Sequence, residues 1–342
     1  MNTQRLAESG EATARLAVLV LSFCCVGWGF SFPAMQIGAD AVRQVLQSHG
    51  IQSVSDLALR GIFNGWRFIV AGMLSMLLAG SPSRYSKDDW IGGALVGFTF
   101  GAGMLLQLMG LRYTLPSVSS FLTALTVIMA PIAQALILRR TVGSRVWISV
   151  LLATAGMLIL STGDPGAASG RLVASPPIRY FGQILTIVAA VFFTAQILFL
   201  DNFGQRADPV RLTGVMLLTA GVLNLIVGLA AGGSALQRTQ VASSLLHTGN
   251  FIWPFLGLAL VSSLLTMQLM CAWQPKIAPA TAAVVYALEP VFGTIFSIIC
   301  QTEVLIRVTL AGGVVILVAV LIVARKPAEA CAESQAGYSS PS

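Results

Sequence analysis

Apolar residues along this chain come in long uninterrupted runs, without the alternation of a half-buried strand or the single stripe of a surface helix. A bilayer core of about 30 Å needs roughly 20 apolar residues per helix. Runs near that length cover 16–37, 61–80, 90–111, 115–138, 146–162, 181–200, 211–231, 252–273, 280–299 and 306–324, with Gly, Pro or charged residues between them. Backbone groups cannot stay unpaired in hydrocarbon, so uniform runs without a ten-residue alternation predict helices and not barrel strands. The expected fold is an all-α polytopic membrane protein with ten transmembrane helices. The first run passes Cys24 and reaches Ile37 without a small-x-small cleavage site, which predicts a retained helix. Residues 38–60 read as a long outer loop.

The two halves align when one is shifted by 163 residues. "TLPSVSSFL" around Pro116 lies over "IAPATAAVV" around Pro279, and "SRVWISVLLATAG" nearly overlays "IRVTLAGGVVILV". A unit of five helices crosses the membrane an odd number of times, so its second copy enters from the opposite side. The expected architecture is two inverted five-helix repeats, in which a substrate site lies near mid-membrane between the halves.

Composition agrees with this reading and narrows it. Of 342 residues 56% are hydrophobic and 10% charged, against about 25% charged in soluble domains. The net charge of +7 is expected in cytoplasmic loops, not on a nucleic-acid partner. With the N-terminus inside, twelve Lys and Arg fall on the cytoplasmic side and seven outside, with Arg67 inside a span, so both termini are expected in the cytoplasm. Cys24, Cys25, Cys271 and Cys300 lie in or beside apolar runs and show neither a disulfide framework nor metal spacing, so no cofactor is expected. There is no Walker loop, which excludes an ATP-driven pump, and nothing suggests a soluble enzyme.

Few residues could carry chemistry at depth. In "VVYALEPVFGTIF", Glu289 sits beside Pro290 about nine residues into the ninth run, roughly 13 Å deep at 1.5 Å per residue. An acid there is costly unless it faces a cavity or a partner, and it could carry a proton; the alternative is a structural carboxyl bonded to backbone. Pro290 cannot donate a hydrogen bond and frees a carbonyl near Tyr286, so the segment reads as a kinked hinge. Arg67 in "NGWRFIV" could meet an anionic substrate group or pair with Glu289, or could snorkel outward beside Trp66. Gln107, Gln196 and Gln268, with Gln134 and Asn224, could orient a substrate, although interhelical hydrogen bonding is the plainer role. Trp28 and Tyr286 could wall an apolar pocket with Phe30 and Phe32, and Pro33 and Pro131 join Pro290 as candidate hinges. Gly93, Gly97 and Gly101 form one ridge, and Gly214, Gly221 and Gly228 another. Both read as packing seams.

The stretches "CCVGWGFSFPAMQIG", "GWRFIVAG", "RYTLPSVSSFLTALTVIMAPIAQALIL", "SRVWISVLLATAGMLILSTG" and "YALEPVFGTIFSIICQTEVLIRVTLAGGVVILVAVLIVARK" resemble EamA-like members of the drug/metabolite transporter superfamily, over essentially residues 16–326. The resemblance implies a cytoplasmic N-terminal segment 1–15, a first five-helix repeat 16–162, an outer loop 163–180, a second repeat 181–324 and a cytoplasmic tail 325–342. It also implies transport of a small metabolite, most often outward across a bacterial inner membrane. This chain departs by carrying Arg140 where such proteins place an acid after the fourth helix, and its first helix lacks the intramembrane acid of small multidrug antiporters. The function expected is a secondary exporter of a small metabolite, amino acid or amphiphile, with the lipid bilayer as surroundings, no nucleic acid, and a homodimer left open. The alternatives are a membrane sensor or assembly partner that does not transport, or an exchanger of phosphorylated metabolites or nucleotide sugars, which should show several buried basic residues where this chain offers only Arg67.

Overall fold

A computed structural model describes residues 2–51, 54–111, 113, 122–123, 125–162, 176–232, 239–300 and 307–325. The helices are α1 (Asn2–Ser48), α2 (Asp56–Ala79), α3 (Lys87–Leu111), α4 (Thr126–Leu136), α5 (Ser144–Thr162), α6 (Pro176–Phe203), α7 (Pro209–Ala230) and α8 (Thr239–Leu246). There follow α9 (Gly249–Gly257), a π-helical segment Leu258–Leu265, α10 (Thr266–Trp273), α11 (Pro279–Tyr286), α12 (Glu289–Ile299) and α13 (Arg307–Ala324). No strand occurs among the described residues. Seven helical stretches are long and apolar enough to cross a membrane, and Thr126–Leu136, Ser144–Ile159 and Leu310–Ala324 are shorter apolar helices. The stretch 114–121, residues 163–175 of the expected outer loop 163–180 and the tail from residue 326 lie outside the described residues, while 176–180 open α6.

The expected long loop 38–60 is a correction. Helix α1 runs on to Ser48 and α2 starts at Asp56, so most of that stretch is helical. Ala39, Val42, Val45 and Leu46 recur at helical spacing and bury against Phe63, Val241, Leu245 and Leu258. The short helix α8 supplies Val241 and Leu245, which gives the extension an apolar surface to cover. The ends are tied by charge: Arg43 pairs with Asp40 at 2.7 Å and also with Asp56. Pro33 lies inside α1 and Pro131 inside α4 without ending either helix. At Pro290 the chain does break: α11 ends at Tyr286, and Ala287 and Leu288 form a turn before α12.

Helix α2 packs along α7, α3 along α6 and α7, α5 along α13, and α1 along α9, α10 and α12. The glycine ridges are the reason α2, α3 and α7 come so close. A Cβ on Gly65 would sit 2.9 Å from the Cα of Leu225, one on Gly228 2.7 Å from the Ile62 nitrogen, and one on Gly101 3.0 Å from the Ala220 Cα. Van der Waals contact along such small-residue seams drives association where lipid is as apolar as the side chains.

The α3 and α7 ends are joined through Asp89. Ser86 and Asp89 form a reciprocal capping box: Ser86 N–H donates to Asp89 Oδ2 at 2.7 Å, and Asp89 N–H donates to Ser86 Oγ at 3.1 Å. The other carboxylate oxygen accepts from Asp208 N–H at 2.8 Å, and Asp208 itself caps α7 at Val210 and Arg211. Arg211 donates to the Arg84 carbonyl at 2.5 Å and lies 5.8 Å from the Tyr85 ring centroid.

Candidate functional site

Glu289 opens α12 as its first residue, placed there by the turn that Pro290 forces. Proline has no N–H, so the Tyr286 carbonyl lacks the donor that a continuous helix would bring to it. Glu289 is partly buried, and its side chain makes no hydrogen bond or ion pair among the described residues. It starts a helix, where exposed N–H groups favour negative charge.

One turn earlier, Tyr286 meets Trp28 edge to face at 5.2 Å, and its hydroxyl donates to Gln274 Oε1 at 2.7 Å. Gln274 donates to the Ile197 carbonyl at 2.9 Å, reaching α6. On the same side Gln134 Oε1 accepts from Ala280 N–H at 3.0 Å, joining α4 to α11. Arg140, just past α4, pairs with Asp201 at 2.7 Å, and the Asp201 side chain is 3% exposed. A polar network thus joins α4, α6, α11 and the Gln274 turn, and Arg140 and Asp201 supply its charged pair.

Arg67 belongs to a different polar seam, between α2 and the π-helical segment. It is 3% exposed, so it does not snorkel outward, whereas its neighbour Trp66 is on the exposed face. Its Nε–H donates to Ser263 Oγ at 2.9 Å, and its guanidinium stands 4.6 Å from the Phe68 ring centroid. No ion pair joins it to Glu289 or to any other acid among the described residues, and Nη1 is buried without a partner. One turn back on the same helix, Asn64 is fully buried with both side-chain polar atoms unpartnered. Sequence reasoning missed Asn64, although a polar residue three positions before Arg67 shares its helix face.

The facing surface is built by the π-helical segment. Its wider turn presents successive serines to two helices: Ser263 to Arg67 on α2, and Ser262 to the Gly27 carbonyl of α1 at 2.5 Å. The seam continues at Gln268, which donates to Ser75 Oγ of α2 at 3.1 Å. Gln107 donates to Thr123 at 3.0 Å, and Gln196 lies 3.8 Å from the Met270 sulfur. Trp28 Nε1–H is buried and unpartnered. Phe30 turns to an apolar cleft of about 280 Å³, where Phe23, Val261 and Phe296 also lie. The side chain of Phe32 lies outside the described residues.

The described residues hold no group of acids, cysteines and histidines that could bind a metal ion. Long apolar helices with polar side chains held at depth define a multi-pass membrane protein. The chain belongs to the EamA-like transporter family, whose pattern matches residues 15–162 and 180–325. It is 28% identical over 315 residues to a protein of Archaeoglobus fulgidus described as an uncharacterized transporter, covering 92% of this chain and 87% of that one. A protein of known crystal structure superposes with a TM-score of 0.63 at 13% identity, covering 91% of this chain and 96% of the other, which shows a shared fold. The protein is a transporter and not an enzyme.

Proposed function

We propose that this protein is a secondary carrier that exports a small metabolite, amino acid or amphiphile across the bacterial inner membrane by alternating access. Ten crossing helices form two oppositely inserted halves, 16–162 and 181–324, with both termini in the cytoplasm. The seven long and three shorter apolar helices support that count. The packing pattern supports a two-fold repeat: α2 with α7, α4 with α11, and α5 with α13 each pair a helix with its counterpart, while α3 on α6 mirrors α1 on α9 and α10. The family of the chain supports transport itself.

The observation that carries the reading is Glu289, a carboxyl without a protein partner among the described residues, set at a helix break inside the bundle. Intramembrane acids are costly and mark ion or substrate paths. The break gives the ninth span two segments that can reorient against each other. Proton coupling through Glu289 is the second reading, favoured by the same unpaired carboxyl.

Flux in proteoliposomes tests both. Saturable exchange of a labelled compound supports a carrier, and binding without flux supports a sensor. An imposed pH gradient should drive accumulation in the wild type and fail to do so in Glu289→Gln. If the gradient has no effect and the variant transports normally, coupling through this acid is rejected.

A further inference from the structure

The seam between α2 and the π-helical segment holds the most anomalous charge among the described residues. A guanidinium is never neutral in a protein, and burying it without an acid leaves an uncompensated cation. Here Arg67 satisfies only part of its donor set, through Ser263 and the Phe68 face, while Nη1 stays unpartnered. Asn64, one turn away on the same face, contributes an equally unpartnered amide. Buried polar atoms are nearly always paired, so adjacent exceptions in a transporter point to a missing ligand. The serines opposite sit on a π-helical stretch, a deformation frequent at functional sites.

We propose that Arg67 and Asn64 form the anion-recognising subsite of the carrier and that the group they bind is a carboxylate of the substrate. This rests on the transport reading and narrows it to compounds that carry a carboxyl group. Planar N–H donors of a guanidinium match the two oxygens of a carboxylate. A phosphate or diphosphate needs more positive charge than one arginine provides, and no second Lys or Arg is buried with Arg67 among the described residues. Nη1 and the Asn64 atoms have no accessible surface in this conformation, so the seam parts to admit the ligand. Its two sides are tied there by single hydrogen bonds, Arg67 to Ser263 and Gln268 to Ser75.

Two measurements on the full-length protein test the subsite. The first needs no ligand: Arg67→Met, similar in length and uncharged, should raise the melting temperature of the purified protein by at least about 2 °C. A cation held for packing or for its serine contact would instead lower it, and a lower melting temperature overturns the proposal.

The second is a thermal-shift panel of L-leucine, L-phenylalanine, L-threonine, L-lactate and benzoate against the amide of each, with inorganic phosphate alongside. At least one acid should stabilise the wild type while its amide does not, and Arg67→Met should lose the response. Equal responses to acid and amide, a response retained in Arg67→Met, a preference for phosphate, or no shift with any acid overturns the assignment. The same compounds in proteoliposomes separate the two claims. Binding at Arg67 without flux fails the carrier and keeps the subsite, whereas flux of an amide that is indifferent to Arg67→Met keeps the carrier and fails the subsite.

Discussion

Replacing Gly65 by alanine probes the α2–α7 seam most directly. The added Cβ would stand 2.9 Å from the Cα, Cβ and backbone nitrogen of Leu225, where ordinary contact starts at 3.4 Å. The obstacle is helix backbone, so no rotamer change relieves it, and α2 must move away from α7 by about half an ångström or more. Overpacking of this kind costs about 1–3 kcal/mol, which shifts the folding equilibrium by roughly one to two powers of ten. Against this, Gly→Ala in a helix gains about 1 kcal/mol of intrinsic propensity, so the net loss should lie between about 0 and 2 kcal/mol. Gly249→Ala is the matched control, since nothing lies within 4 Å of its added Cβ. Gly228→Ala opens the same seam by its contacts with Gly61 and Ile62, so the double variant with Gly65→Ala should lose less than the sum of the two. The assay is reversible unfolding in mixed detergent micelles followed by tryptophan fluorescence. If Gly65→Ala unfolds at the same denaturant concentration as Gly249→Ala, close backbone contact does not hold these helices together.

Two further outcomes follow from the polar ties. Asp89→Ala removes a carboxylate that is 1% exposed and accepts from Ser86 and Asp208, so it should cost about 2–3 kcal/mol in the same unfolding assay; Asp89→Asn, which keeps an acceptor, should cost less. Asp201→Ala leaves Arg140 without its acid; because Arg140 is partly exposed, the loss should be about 1–2 kcal/mol, well below the cost of a fully buried broken pair, and Arg140→Gln combined with it should add little.

Most of the membrane-crossing helices were legible because hydrocarbon imposes one requirement on every residue of a span, and uniform apolarity records it. The glycine ridges were legible for a related reason, since small residues at fixed spacing have little use on a helix except close approach. The α1 extension was present in the pattern at Ala41, Val42, Val45 and Leu46, but its polar residues Arg43, Gln44 and Gln47 made the stretch resemble a loop once a bilayer was assumed. Ser86 and Asp89 likewise carry a capping signature that reads plainly only when the start of α3 is known. The site was less legible. That Glu289 and Arg67 are exceptional follows from their charge alone, but their separation does not, because helix order does not fix which faces meet. The π-helical segment is written in no local residue preference. Its two serines reach α1 and α2 at once, a contact that only the assembled packing contains. Asp201 gave no hint of pairing with Arg140, since 61 residues separate them.

Asp89 spends its two oxygens on different stretches of chain, one on the turn before α3 and the other on the turn before α7, 119 residues away. Those helix starts cannot draw apart without breaking a hydrogen bond to that carboxylate. The protein therefore carries a pin where α3 and α7 begin, and a single side chain holds both turns in register.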